Sequence, residues 1–234
     1  MPGGRRRGVA ADVTREQIID VADDLARREG LENVTVRRVS AALGVTPAAL
    51  YWHLDGKRDL LSALVDRASA RTDRPHADYG HWLDRLVRFY LSTREEFTAY
   101  QGLSRALMAV EPSDATMQNC LYVYDLLMEV GFEEEAAIGL FDSLNTLSWG
   151  HLMMLDLARS SVTQVREKAV VAYAEWVRGV LEQRPEYAVF VRSLSDFDDA
   201  RSRRQLIHGI ELLARAGALD AGVAVPDTTR FAVT

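Results

Sequence analysis

The apolar positions of this chain recur at three- and four-residue spacing, the signature of amphipathic helices, and no stretch requires the alternation of a half-buried strand. A first helix opens on a capping box, Thr14 with Gln17 three residues on. It carries Ile18, Val21, Ala22, Leu25 and Ala26 along one side and stops at Gly30. Thr35 caps a second helix over 36–43. Gly44 then supplies the left-handed residue of a sharp turn, and Thr46 followed by Pro47 is an N-cap with proline at the first helical position. Val39, Ala42, Leu43, Val45 and Leu50 are spaced to pack this pair on each other, the second member being about two turns long. A further helix over 57–73 turns Leu60, Leu61, Leu64, Val65 and Ala68 inward.

The polar stretch 71–80, with Pro75 and Gly80, marks a boundary. Beyond it Trp82, Leu86, Phe89, Tyr90 and Thr93 follow a 3.6-residue period, and Leu103, Leu107 and Val110 form a short helix stopped by Pro112. Ser113 or Asp114 caps the next, which ends at Gly131. The stretch 133–159 is apolar nearly all round, so it is buried against its own domain and against something else, most simply a second copy of the chain. Helices over 162–183, 187–194 and 200–216 follow, broken by Pro185 and ended by Gly217. The division is therefore a flexible basic arm (1–12), a helix-turn-helix domain (13–74), a second helical domain with a face left for a partner (75–218) and a loose tail (219–234), all α in class.

Charge sharpens this division. The net charge is -6, yet the first 74 residues carry 13 Lys+Arg against 11 Asp+Glu while the rest carry 15 against 23. Only the N-terminal third can be an electrostatic footprint for DNA. Arg5, Arg6 and Arg7 suit a backbone or a minor groove, or equally a solubilising tail. Cys120 is the single cysteine, which excludes a disulfide framework and fits a reducing cytoplasm. No apolar run approaches the ~20 residues of a membrane span. The expectation is a cytoplasmic protein with no membrane partner.

In the second helix of the pair, Leu50, Tyr51, Trp52 and His53 point about 100° apart, so some must face outward. Next to Lys57 and Arg58, an exposed aromatic cluster suits phosphates and base edges; the plainer account is a solvated surface with a partly buried aromatic pair. Residues 14–70, and above all L-G-V-x-x-x-x-L-Y-W-H-x-x-x-K-R-x-L-L-x-A-L from Leu43 to Leu64, resemble the DNA-binding domain of the tetracycline-repressor-type (TetR) family. The resemblance continues more weakly through W-L-D-R-L at Trp82, L-x-x-x-G-F from Leu127 to Phe132, and the final helices.

That resemblance implies a homodimer whose long and last helices form a four-helix bundle across a two-fold axis, with Leu147, Leu152 and Ile210 as dimerisation residues. It implies a double-stranded, near-palindromic operator, with Arg37 reading a base and Thr46, Ala48, Ala49, Tyr51, Trp52, His53 and Lys57 along the DNA. Pro47 stands where tetracycline-binding members have a base-reading glutamine, so the operator differs, with Ala48 or Ala49 against a thymine methyl. On the ligand side the matched positions are Phe89, Leu107, Val110, Cys120, Val123, Ile138, Phe141 and Met154, each of which ordinary core packing also explains. Leu107 replaces a metal-chelating histidine and Met154 a glutamate that orders metal-bound water, so the expected ligand is a small hydrophobic molecule with no metal and no cofactor.

Catalytic patterns are thin. His53, His76, His81, His151 and His208 fall in no zinc-protease spacing, no phosphate-binding glycine loop occurs, and Ser143, Ser148 and His151 sit in no nucleophile-elbow motif. The reading is a ligand-responsive repressor, not an enzyme. The alternatives are an activator or ligand-independent regulator of the same fold, an enzyme on a helical scaffold, and a purely structural bundle.

Overall fold

A computed structural model describes residues 13–159, 175–176, 178–179, 181–187 and 199–231, and the regular elements among these described residues are helical. The arm with Arg5, Arg6 and Arg7, most of the helix expected over 162–183, and most of that over 187–194 lie outside the described residues. Helix α1 (Arg15–Glu29) begins as its capping box dictates: Thr14 Oγ1 accepts from the Gln17 amide at 3.2 Å, and Gln17 Oε1 accepts from the Thr14 amide at 2.9 Å. Helix α2 (Val36–Leu43) starts with Thr35 Oγ1 on the Arg38 amide and ends at Gly44, whose φ of 69° and ψ of 24° are left-handed.

Helix α3 (Pro47–Leu50) is a single turn, shorter than the expected two. The amides of His53 and Leu54 both donate to the Leu50 carbonyl, which tightens the chain and ends the helix while Leu54 enters the core. Thr46 is extended as an N-cap should be, but its hydroxyl makes no capping bond. Instead the Ala49 amide donates to the Thr46 carbonyl. Helix α4 (Lys57–Arg71) completes the head.

Helices α5 (Trp82–Thr98), α6 (Leu103–Leu107), α7 (Asp114–Glu129), α8 (Glu134–Arg159) and α9 (Asp199–Ala221) form the body. Head and body share one core: Ile18, Leu25, Leu50, Leu60 and Leu64 pack in the same cluster as Phe97, Tyr100, Leu103 and Leu152. The junction is polar as well as apolar. Asp156 of α8 accepts from the amides of Gly102 and Ser104 at 3.0 and 3.1 Å, supplying the orphan donors at the start of α6, and the Leu31 amide donates to the Gln101 carbonyl at 3.0 Å. Tyr100, fully buried, donates to Asp23 of α1 and accepts from Arg71 of α4, and burial with the neighbouring Asp23 pushes its phenol up to about 12.

A second core joins α5, α7, α8 and α9. His151 of α8 lies between Arg94 of α5, whose Nε donates to its Nε2 at 3.3 Å, and Ser202 of α9 at 3.1 Å. Burial, then the Arg94 charge, bring its pKa down to about 4, so the ring is a neutral acceptor at neutral pH.

Two expectations at the C-terminal end change. Helix α9 runs through Gly217 to Ala221, because this glycine marks a close approach and not a stop: a Cβ there would lie 3.3 Å from Leu140 of α8. At Gly209 the added atom would meet Leu147 at 2.8 Å. Nor is 222–231 loose. Trp82 Nε1 donates to the Ala224 carbonyl at 3.1 Å, the Arg230 amide donates to Asp84 at 2.7 Å, and Thr229 is buried.

Candidate DNA-binding face and ligand cavity

Helix α3 turns Leu50 fully into the core and leaves its neighbours out: Tyr51 is 59% exposed and Trp52 87%, with His53 half-buried. A tryptophan so exposed loses the burial that makes the residue favourable, and is a mark of an interaction surface. Thr46, Ala48, Arg37 and Lys57 are exposed as well, and Ala49 partly so. Ala42, expected between the helices, is also exposed, the α2–α3 contact being made by Val39, Leu50, Leu43 and Val45.

Charge pairing picks out the same face. Arg15, Arg27, Arg28, Arg38, Arg67 and Arg71 of the head are each held by an aspartate or glutamate. Among the described head residues, Arg37, Lys57 and Arg58 have neither an ion pair nor a side-chain hydrogen bond; Lys57 and Arg58 follow the exposed aromatics closely in the chain, and Arg37 is in the first turn of α2. Free cations around a stacking-capable surface can neutralise phosphates without first breaking internal pairs.

The body, with α4, forms a partly open cavity of about 200 Å³. Its walls are Ser69 from α4; Phe89, Tyr90, Thr93 and Phe97 from α5; Leu107, Val110 and Pro112 from α6 and the turn after it; Thr116, Asn119 and Cys120 from α7; and Asn145, Ser148 and Trp149 from α8. Phe97 and Trp149 meet edge to face at 5.2 Å. No charged side chain is among them. Burial pushes the Cys120 thiol up and the Tyr90 phenol well up, so both stay protonated.

One wall is the helix that carries the head. Ser69 Oγ lies 3.1 Å from Thr116 Oγ1, Asn119 Nδ2 donates to the Ser69 carbonyl at 2.9 Å, and Arg74, just past α4, donates to Asn119 Oδ1 at 3.2 Å. These bonds clasp α4 to α7 at the edge of the cavity.

Of the expected ligand residues, the structure brings Phe89, Leu107, Val110 and Cys120 together in this cavity. It does not bring the other four. Val123 and Phe141 pack in the second core, while Ile138 and Met154 are 45% and 52% exposed on the outer face of α8. Missing from the expectation were Phe97, Asn145, Ser148 and Trp149. Their signal was available: Phe89, Thr93 and Phe97 repeat at four residues, and Asn145 and Ser148 are polar positions three apart on a buried helix face.

The expected dimer residues need correction. Leu152 and Ile210 are 1% and 0% exposed within a single protomer and have no surface to offer a second. Leu147 packs against α9 at Gly209. The outward face of α8 is one residue away: Gly139, Ser143, Thr146, Gly150 and Met153 are exposed at alternating four- and three-residue spacing, and on α9 so are His208, Leu212, Ala216 and Leu219. Leu212 and Leu219 are 60% and 83% exposed.

Comparison with known proteins adds an independent line. Residues 18–64 match the profile of bacterial regulatory proteins of the tetR family. The class A tetracycline repressor protein from transposon 1721 of Escherichia coli is 27% identical over 186 residues, covering 78% of this chain and 80% of that one. The class D tetracycline repressor protein of Escherichia coli is 26% identical over 212 residues, covering 88% and 89%. Among solved structures, the Streptomyces coelicolor TetR family protein ActR in complex with actinorhodin superposes with a TM-score of 0.71 over 91% of this chain and 98% of that one. At 23% identity that likeness shows the fold alone.

Proposed function

We propose that this chain, which belongs to the TetR family of transcriptional regulators, represses transcription as a homodimer that leaves a near-palindromic operator when an apolar small molecule fills the cavity. The observation that carries this reading is the clasp: Ser69 is at once a wall of the cavity and part of α4, so an occupant bears directly on the helix that positions the head. A molecule that favours one placement of α4 over another shifts the balance between DNA-binding and released forms by its difference in affinity for the two.

DNA contact falls to α3 and its flanks. Lys57 and Thr46 take phosphates, Arg37 reads a base edge, and Tyr51, Trp52, His53, Ala48 and Ala49 line the groove. Dimerisation uses the exposed strips of α8 and α9, centred on Met153, Leu212 and Leu219, and joins two heads to successive major grooves. The names of two relatives, tetracycline repressors, and the actinorhodin complex of a structural neighbour are in keeping with a small-molecule ligand for this chain.

Selection of bound duplex from a random pool tests the DNA half of this reading. Enrichment of an inverted repeat is expected; a pool that stays random through successive rounds in low salt overturns it.

A further inference from the structure

Among the described residues, Ser148 Oγ is the buried side-chain polar atom that has no hydrogen-bond partner. Its surroundings make this unusual. Ser143, five residues earlier in α8, satisfies its own hydroxyl on the Gly139 carbonyl at 2.8 Å, as Thr93 and Thr98 of α5 do on Phe89 and Arg94. Ser148 is 2% exposed, lines the cavity, and leaves that local bond unmade. An unpaired buried hydroxyl costs stability, and a site that retains one has a use for it.

A second donor stands beside it. Asn145 lies three residues before Ser148, on the same helix face, and also lines the cavity. The Tyr90 hydroxyl donates to its Oδ1 at 3.3 Å, which fixes the orientation of the amide. Asn145 Nδ2 makes no hydrogen bond among the described residues. Two neighbouring donors, Ser148 O–H and Asn145 N–H, therefore face a chamber otherwise walled by aromatic and aliphatic groups, with no cation or carboxylate among its lining residues.

We propose that the cavity selects an uncharged aromatic molecule bearing an acceptor oxygen of the ketone or quinone type, held by Ser148 and Asn145. Resting on the inducible-repressor reading above, this names the chemistry its inducer must have. A carbonyl oxygen has two lone pairs and can accept from both donors at once. An anionic ligand gains the same bonds but must leave water for a chamber with no counter-charge, and a pure hydrocarbon leaves both donors unpaired.

The test uses 9-fluorenone, the hydrocarbon fluorene of nearly the same shape, and fluorenone-2-carboxylate, each measured by equilibrium dialysis against the full chain without DNA. The wild type is expected to bind the ketone about tenfold more tightly than the hydrocarbon, two satisfied donors being the difference, and the carboxylate more than tenfold more weakly than the ketone. In Ser148→Ala the ketone preference falls to about threefold or less while fluorene binding holds, and the melting temperature does not drop, because only an unpaired hydroxyl is lost. Equal binding of ketone and hydrocarbon by the wild type, a preference unchanged in Ser148→Ala, or no binding of fluorenone up to its solubility overturns the proposal.

Release of a selected operator by fluorenone is read separately, by fluorescence anisotropy. A Ser148-dependent ketone preference without release upholds the oxygen anchor and removes the inducer reading. Release by ketone and hydrocarbon alike does the reverse.

Discussion

Trp52 and Leu50 are two residues apart, and one keeps 87% of its surface in water while the other keeps none. Helical geometry explains the difference but not its tolerance: an exposed indole in the same helix-turn-helix domain as Arg37, Lys57 and Arg58, three cations that no carboxylate holds, suits polyanionic, stackable material. The cations should differ in kind. Lys57→Ala is expected to weaken binding to all duplexes and lower the salt slope by about one, whereas Arg37→Ala should cost about 1–3 kcal/mol of discrimination at one base pair. Anisotropy titrations at several salt concentrations, on the selected operator and its single-base variants, separate the two. Identical behaviour of both variants would contradict these roles.

At the scale of elements, most boundaries were legible because they are set by local chemistry: the Thr14–Gln17 box, Thr35, Gly44, Pro47 and Ser113 each act within a turn of chain. What sequence could not decide was which of two apolar faces of α8 turns inward. Leu152 and Met153 differ by one residue and about 100°, and it is the shared core with Phe97, Tyr100 and Leu103 that takes Leu152 into the interior. For the same reason the cavity was half legible: Phe89, Leu107, Val110 and Cys120 meet there, while Ile138 and Met154 lie on the other side of their helix. Gly217 looked like a helix stop because local chemistry gives glycine that role; here its lack of a side chain serves the α8–α9 approach. Gly209 is the sharper case. By helix propensity alone Gly209→Val should be neutral or slightly stabilising, but its Cβ would lie 2.8 Å from Leu147, so a loss of about 1–3 kcal/mol is expected in urea unfolding. Unchanged or increased stability would show that α9 can move off α8 without penalty.

For the whole molecule, head and body are one mechanical piece. Tyr100 ties α1 to α4, Asp156 of α8 holds the start of α6, and Leu50 and Leu152 share a core, so a change at the cavity has a packed route to the DNA face. In a two-headed dimer built this way the spacing of the half-sites is fixed by the frame. The most direct measurement is the affinity of the purified protein for its selected operator before and after five base pairs are inserted between the half-sites, with complex mass read by light scattering. Two heads on a shared frame predict two chains per operator and an affinity that falls to that of a lone half-site, because five base pairs, about half a helical turn, rotate one half-site to the far side of the duplex. Undiminished binding to the spaced operator, or one chain per site at full affinity, would contradict it.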